Sequence, residues 1–324
     1  MDLTLNTDQK DLRAALREYL ADAWSPERLR AASDGVPFDR QAWKALAEMG
    51  VFSVTLPEER GGMGLGLADA VILFEELGRA LVPGPLTGTL LAAGPVPGAA
   101  EGDAAVTLLD TGAALGEGTA YVIEHPQAAT HLVAIDDDGL FLLPVPQDEL
   151  AALPLDPLTP VARVSVRPQD GERIGTAEDA ARWRSLGAVL TASLQVGVAQ
   201  GALDLAVRYA KERVQFDRVI GSFQAVKHLL AESLVRTDLA RAAVLVAALV
   251  ADDPQAGDLG EAASTAKLLA DEAAAGSGRT GVQVHGGMGF TWEVLAHLYL
   301  KRAWVQETVF GTAGDHAELL AAAF

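Results

Sequence analysis

The sequence predicts a mainly α protein in which a small β domain separates two helical regions. Three observations carry this reading. Apolar residues recur at helical spacing through the first 85 or so positions and again from about residue 178 onward. Between them lie short β-like runs broken by Pro and Gly. The last stretch contains four long apolar-periodic segments with short connections, the pattern of a helix bundle. The expected division is an N-terminal helical domain over 1–87, a β domain over 88–177 and a four-helix bundle over 178–324.

The elements follow in order. Thr7 is placed to cap a first helix running to Leu20, PFDRQAWKALAEMG gives a second that stops at Gly50, and Leu67 to Leu81 gives a third. GGMGLG, residues 61–66, has no strand before it and helical segments on both sides, so it reads as a tight turn between helices and not as a phosphate loop. HLVAI and LFLLPV, joined through Asp136, Asp137, Asp138 and Gly139, predict a hairpin, because short polar residues and glycine tolerate the turn. VARVSVRP adds an alternating strand. The bundle helices are expected at 181–212, 223–252, 258–284 and about 293–308. Ala242 to Ala251 is apolar on all sides, which calls for burial in the bundle centre or against another subunit, and an oligomer is expected.

Composition narrows the function classes. With 324 residues and 50% hydrophobic content the chain can bury large cores. A formal net charge of -19 disfavours nucleic acid, whose phosphates require a concentrated positive field. The absence of cysteine removes disulfides, thiolate metal sites and cysteine nucleophiles together. The first residues carry charges and lack the basic-then-apolar order of a signal peptide, and the run Ala242 to Ala251 is about half a bilayer span. The expectation is a cytoplasmic protein with no membrane span.

Hydrolytic and metal chemistry find little support. Among the six histidines no two stand at i, i+3 or i, i+4, and Gly221-Ser222-Phe223 lacks the second glycine and preceding strand of a nucleophile elbow. Two stretches remain, AKERVQFDRVIGSFQAVKHLLAE (210–232) and GVQVHGGMGFTWE (281–293). Each sets a glycine-bearing turn and aromatic residues beside a long helix, with a glutamine or a histidine, which suits an extended ligand that is part aromatic and part phosphorylated. In that reading Arg213 meets a pyrophosphate, Phe216 and Phe223 flank a ring, and Gln283 with the Gly286 and Gly287 backbone approaches the other end. Two ordinary helix-to-helix turns with buried aromatics fit the same spacing.

YAKERVQFDRVIGSFQAVKHLLAE together with QVHGGMGFTWEVLAHLYLKRA resembles the C-terminal bundle of the acyl-CoA dehydrogenase family. AWKALAEMGVFSVTLPEERGGMGLGLADAVILFEELGRAL resembles that family's first helical domain. The resemblance implies a helical domain, a β domain and a four-helix bundle, assembled as tetramers with FAD at subunit interfaces. It implies that Arg213 meets the FAD pyrophosphate, that Gln215, Phe216, Phe223 and Gln224 surround the cofactor, that Gln283, Gly286 and Gly287 approach its adenosine half, and that Thr312 lies near the flavin of its own subunit. Asp217 stands where the family usually has glycine.

Two departures from the family are larger. The stretch AVTLLDTGAALGEGTAYVIEHP, residues 105–126, is contracted and lacks the flavin- and thioester-contacting signature of the β domain. The family's α-proton base is a glutamate that most often precedes a Gly-Thr pair; here Phe310 precedes Gly311-Thr312, and the alternative position on the first bundle helix falls near Gly187. Glu307 and Asp315 are the carboxylates nearest in sequence, although a surface glutamate and a helix cap are their simpler roles. The resemblance therefore implies either an FAD-dependent α,β-dehydrogenation of an acyl-CoA, with electrons passed to an electron-transfer flavoprotein, or a non-catalytic subunit completing the FAD site of a glutamate-bearing partner. The second alternative is similar to the short subunits of heterotetrameric dehydrogenases acting on steroid side chains. A purely structural helical protein is a third.

Overall fold

The computed structural model describes residues 3–113, 120–146, 151–152 and 154–323. The first helical region holds α1 (Thr7–Ala23), α2 (Pro26–Asp34), α3 (Arg40–Glu48), α4 (Leu67–Arg79) and α5 (Leu86–Ala92). The cap of α1 is Asn6 and not Thr7: Asn6 accepts from the Gln9 amide while the Gln9 side chain accepts from the Asn6 amide, a reciprocal box that satisfies two otherwise orphaned donors. Residues 61–66 form the connection into α4, as the helical flanks predict.

The middle region is a small sandwich. One sheet runs β1 (Val106–Asp110), β3 (His131–Asp136), β4 (Gly139–Leu143), β7 (Glu172–Gly175), and the other β2 (Ala120–Glu124), β6 (Val161–Ser165), β5 (Ala151–Ala152). The expected hairpin is β3–β4, with Asp136 opposite Gly139 and a two-residue turn between them. Strand β3 is buried on both faces, and its pleat divides it cleanly. Leu132 and Ala134 point between the sheets, whereas Val133 and Ile135 join Ala180 and Trp183 under the next helix.

The bundle consists of α6 (Ala177–Glu212), α7 (Gln224–Asp252), α8 (Leu259–His285) and α9 (Ala296–Gln306), followed by α10 (Ala313–Ala322). Between α6 and α7 the chain forms a small hairpin, β8 (Val214–Gln215) and β9 (Arg218–Val219). Among the described residues α6 is the one helix long and apolar enough to cross a bilayer, and 89% of its most apolar window is buried inside the protein. In the apolar second half of α7, Val244, Ala247, Ala248 and Ala251 are likewise buried in the chain's own core, while Ala242, Val246 and Leu249 are half-buried. The exposed large apolar side chains of α7 lie earlier, at Leu229, Leu234, Val235 and Leu239.

A buried ion pair ties the three regions together. Arg302 on α9 donates to Asp156 at 2.5 Å and to the carbonyls of Val82 and Leu81, while Asp156 also accepts from Leu158 and Thr159. A buried guanidinium is tolerable only when its donors are met in this way. The knot lies where the two helical regions and the β sandwich meet.

Candidate functional site

Arg213 caps the end of α6, and the hairpin that follows is exposed throughout. Its two turn residues, Phe216 and Asp217, both have left-handed backbone (φ 53° and 59°), a conformation a type I′ hairpin turn demands and an aromatic residue adopts only at a cost. Aspartate is among the residues that tolerate it, so Asp217 fits the turn in place of glycine. Phe216 is 86% exposed and meets Phe223 edge to face, and the Arg218 guanidinium lies 3.9 Å over the Phe223 ring. No carboxylate among the described residues pairs with Arg213. The hairpin thus presents a free cation and a strained, solvent-facing ring.

The second sequence stretch reaches the same end of the bundle. Val284 is buried with Ala206 and Ala210 of α6, packed by Ile220, Val226 and Leu230, and His285 stacks on Tyr209 at 4.3 Å. Gln283, Gly286 and Gly287 are exposed beside it. A Cβ added at either glycine would meet nothing within 4 Å, so this backbone is open to close approach by a ligand. Arg213, Gln215, Phe216, Phe223, Gln224, Gln283, Gly286 and Gly287 therefore share one end of the bundle.

Thr312 does not lie there. It caps α10 through a reciprocal box with Asp315, whose carboxylate accepts from both the Thr312 amide and hydroxyl at 2.8 Å. Those bonds hold the Asp315 carboxyl below its usual range, so Asp315 is an exposed capping anion and not a poised base. Glu307 ends α9, and its carbonyl accepts from the buried Lys267, which also binds Asp271 at 2.5 Å and the Gly311 carbonyl at 3.0 Å. His316 fixes the loop from the other side through the Phe310 carbonyl at 2.9 Å. So clamped, the Phe310 ring lies against Gly187, where an added Cβ would come within 2.2 Å of its Cζ. The two positions where the resemblance expects a glutamate thus face each other, and an aromatic ring fills the space between them. Along α6 they are about 39 Å from Arg213. One compact site of a single chain cannot use both groups.

Phe310 also lines a cavity of about 370 Å³ where the three regions meet. Leu86, Val106, Leu108, Leu194 and Val305 make its walls largely apolar. Three wall residues carry buried polar atoms that find no partner among the described residues: Glu124 Oε1, His125 Nδ1 and Gln306 Oε1. Burial raises the Glu124 carboxyl to about 7, with Arg302 opposing and Asp156 adding to the shift. Burial lowers His125 to about 3, with Arg302 acting in the same direction. Neither Glu307 nor Asp315 lines this cavity.

The comparisons with known proteins are in agreement at both ends of the chain. The family profile for the N-terminal domain of acyl-CoA dehydrogenases matches residues 6–97, and that for the C-terminal domain matches 185–324. The acyl-CoA dehydrogenase IpdE2 of Mycobacterium tuberculosis is 38% identical over 312 residues, covering 93% of this chain and 92% of the relative. The chain belongs to the acyl-CoA dehydrogenase family. In structure it is similar to a chain of the ChsE4-ChsE5 complex from Mycobacterium tuberculosis (TM-score 0.84, 25% identity, 99% of this chain and 98% of that one). It is also similar to the Tcur3481-Tcur3483 steroid ACAD G363A variant (TM-score 0.82, 26% identity, 98% of each chain).

For this family the implied cofactor is FAD, and the hairpin end offers groups that suit its phosphates and rings: the Arg213 guanidinium, which pairs with no carboxylate among the described residues, the exposed Phe216 ring and open glycine backbone. Residues 114–119 of the contracted β-domain segment lie outside the described residues. Sequence reasoning missed Glu124, His125, Gln306 and Lys267. The available signal was weak: in YVIEHP, Tyr121 and Ile123 face the sandwich core, so the alternation sends Val122 and Glu124 to the opposite face.

Proposed function

We propose that this chain is one subunit of a heteromeric, FAD-dependent acyl-CoA dehydrogenase, that its hairpin end completes the FAD site of a glutamate-bearing partner subunit, and that its own base position is catalytically silent. The observation that carries the reading is the Phe310 ring against Gly187, which leaves no carboxylate, and no room for one, at either position the family uses. A general base must reach hydrogen-bond range of the proton it removes, and neither Glu307 nor Asp315 lines the cavity in which an acyl chain would lie. FAD, when bound, supplies the acceptor for the hydride lost from the acyl β-carbon.

The chain's own residues have definite tasks in this reading. Arg213 neutralises the pyrophosphate through bidentate donors, Phe216 and Phe223 shield the cofactor from water, Gln215 and Gln224 hydrogen-bond at its edge, and Gln283 with Gly286 and Gly287 receives the adenosine half. Thr312, some 39 Å along the bundle, would serve a flavin of its own subunit only if one were bound there. The substrate class is an acyl-CoA thioester, the assembly a tetramer with a related subunit, the electron acceptor an electron-transfer flavoprotein, and the compartment the cytoplasm. The relatives' descriptions, a ChsE4-ChsE5 complex and a two-component steroid ACAD, support the heteromer and a steroid-bearing acyl group. Domain limits at 1–87, 88–177 and 178–324 belong to the same proposal.

The test is Arg213→Ala in the co-purified assembly. Flavin per assembly should fall at least about tenfold in retention, the loss expected for one charge-assisted phosphate contact. Unchanged flavin stoichiometry would remove the hairpin from the FAD site.

A further inference from the structure

A second cleft, of about 340 Å³, lies where the corner between α1 and α2 meets the bundle, and it shares no wall residue with the junction cavity. From α6 it takes Gly201, Asp204, Leu205 and Arg208, which the i, i+3, i+4, i+7 spacing sets on one face. Gly201 lets the Tyr299 ring close on the helix, since an added Cβ would come within 2.4 Å of its Cε1, and the Tyr299 hydroxyl is engaged by the Arg79 carbonyl at 3.0 Å. Leu20, Trp24 and Leu29, all buried, supply apolar wall from the α1–α2 corner.

Three arginines line this apolar space, in a chain whose formal net charge is -19. Arg79 is matched by Glu76 at 3.0 Å and by Asp204 at 3.2 Å. Arg30 donates to the Glu293 carbonyl at 2.8 Å and lies 3.8 Å from Glu27, while its Nε is buried and finds no partner among the described residues. Arg208 makes no ion pair or hydrogen bond among the described residues. A buried N–H without an acceptor is rare in folded proteins and calls for something to complete it. Once the pairs are formed, one positive charge and one buried donor are left over.

We propose that this cleft binds a monocarboxylate with an aliphatic body, its carboxylate held by Arg208 and Arg30 Nε and its chain laid over Leu20, Trp24, Leu29 and Leu205. A carboxylate matches the guanidinium fork and brings the single negative charge that the wall leaves unmet, whereas a phosphate dianion brings two. The volume lies within the range of small-molecule sites, and apolar walls with a few convergent polar groups are their usual construction. None of the residues assigned to FAD lines the cleft, so the site does not depend on that reading.

The experiment is calorimetric titration of the full chain with octanoate, octanol and octyl phosphate at pH 8. The expected result is a site for one octanoate per chain, at least about tenfold tighter than octanol, the increment of one charge-assisted hydrogen bond, with octyl phosphate weaker than octanoate. Arg208 is exposed, so Arg208→Gln should leave the fold intact while reducing the preference for octanoate over octanol to about threefold or less. Saturating FAD should leave octanoate binding unchanged. Octanol or octyl phosphate bound as tightly as octanoate, octanoate binding unaltered in Arg208→Gln, which would put the ligand in the junction cavity, displacement by FAD, or no binding up to millimolar octanoate would each overturn the site.

Discussion

Glu124 and His125 are neighbours whose burial pulls their proton affinities in opposite directions, and this has a consequence for stability. The folded Glu124 carboxyl holds its proton to about pH 7, whereas the unfolded one releases it near 4.5. The folded state therefore binds more protons than the unfolded state between these values, and the stability contributed below pH 4.5 is lost as pH rises through 7. The loss amounts to about 3 kcal/mol. Denaturant unfolding of Glu124→Gln should show a gain over the parent that grows from near zero at pH 4.5 to about this size at pH 8; a pH-independent difference would contradict the burial assigned to Glu124. At the base position, Gly187→Ala should cost about 1–3 kcal/mol, because its methyl meets the Phe310 ring. In a Phe310→Ala background that added cost should fall to about 0.5 kcal/mol or less, a non-additivity that diagnoses direct contact. The sequence showed that these two positions lack a carboxylate, but not that they touch, since 123 residues of chain separate them.

Individual elements differ in what they require of the fold. The β8–β9 hairpin buries little, so Phe216→Ser should leave unfolding free energy within about 0.5 kcal/mol of the parent, yet reduce flavin retention in the assembly. A large stability loss would mark Phe216 as structural. The loop from 307 to 311 is the opposite case, because Lys267 is fully buried and binds Asp271 and two loop carbonyls. Lys267→Ala strands the Asp271 carboxylate and should cost about 3–5 kcal/mol in denaturant unfolding. Elements whose signals are local were legible: the β3–β4 turn in its Asp-Asp-Gly run, the four bundle helices in their periodicity, and the break after α6 in its loss of helical spacing, though not that the break forms a β hairpin. The start of α1 moved by one residue because Asn6 with Gln9 makes a better box than Thr7 alone. The short α2, whose apolar face holds little beyond Leu29, carried too few periodic positions to be foreseen.

At the scale of the whole molecule, the arrangement of α6 decides the account. Its length places the hairpin at one end and the Phe310 loop near the other, so that neither can complete the other within one chain. The apolar residues Leu234, Val235 and Leu239 of α7, together with Phe290 and Trp292, remain exposed and give an assembled subunit a surface to cover. Val235→Asp with Leu239→Asp should shift sedimentation of the assembly toward smaller species, whereas an unchanged distribution would exclude this face from the interface. The junction cavity was not legible in advance, because its walls are drawn from positions as far apart as Val82 and Phe310 and only packing brings them together. The proposed role is that this chain lends FAD contacts to a partner while its own base position is silent. It is tested most directly by acyl-CoA turnover with an artificial electron acceptor, using the isolated chain reconstituted with FAD beside the co-purified assembly. Turnover by the assembly and none by the isolated chain is expected; robust turnover by the isolated chain would contradict the silent base position.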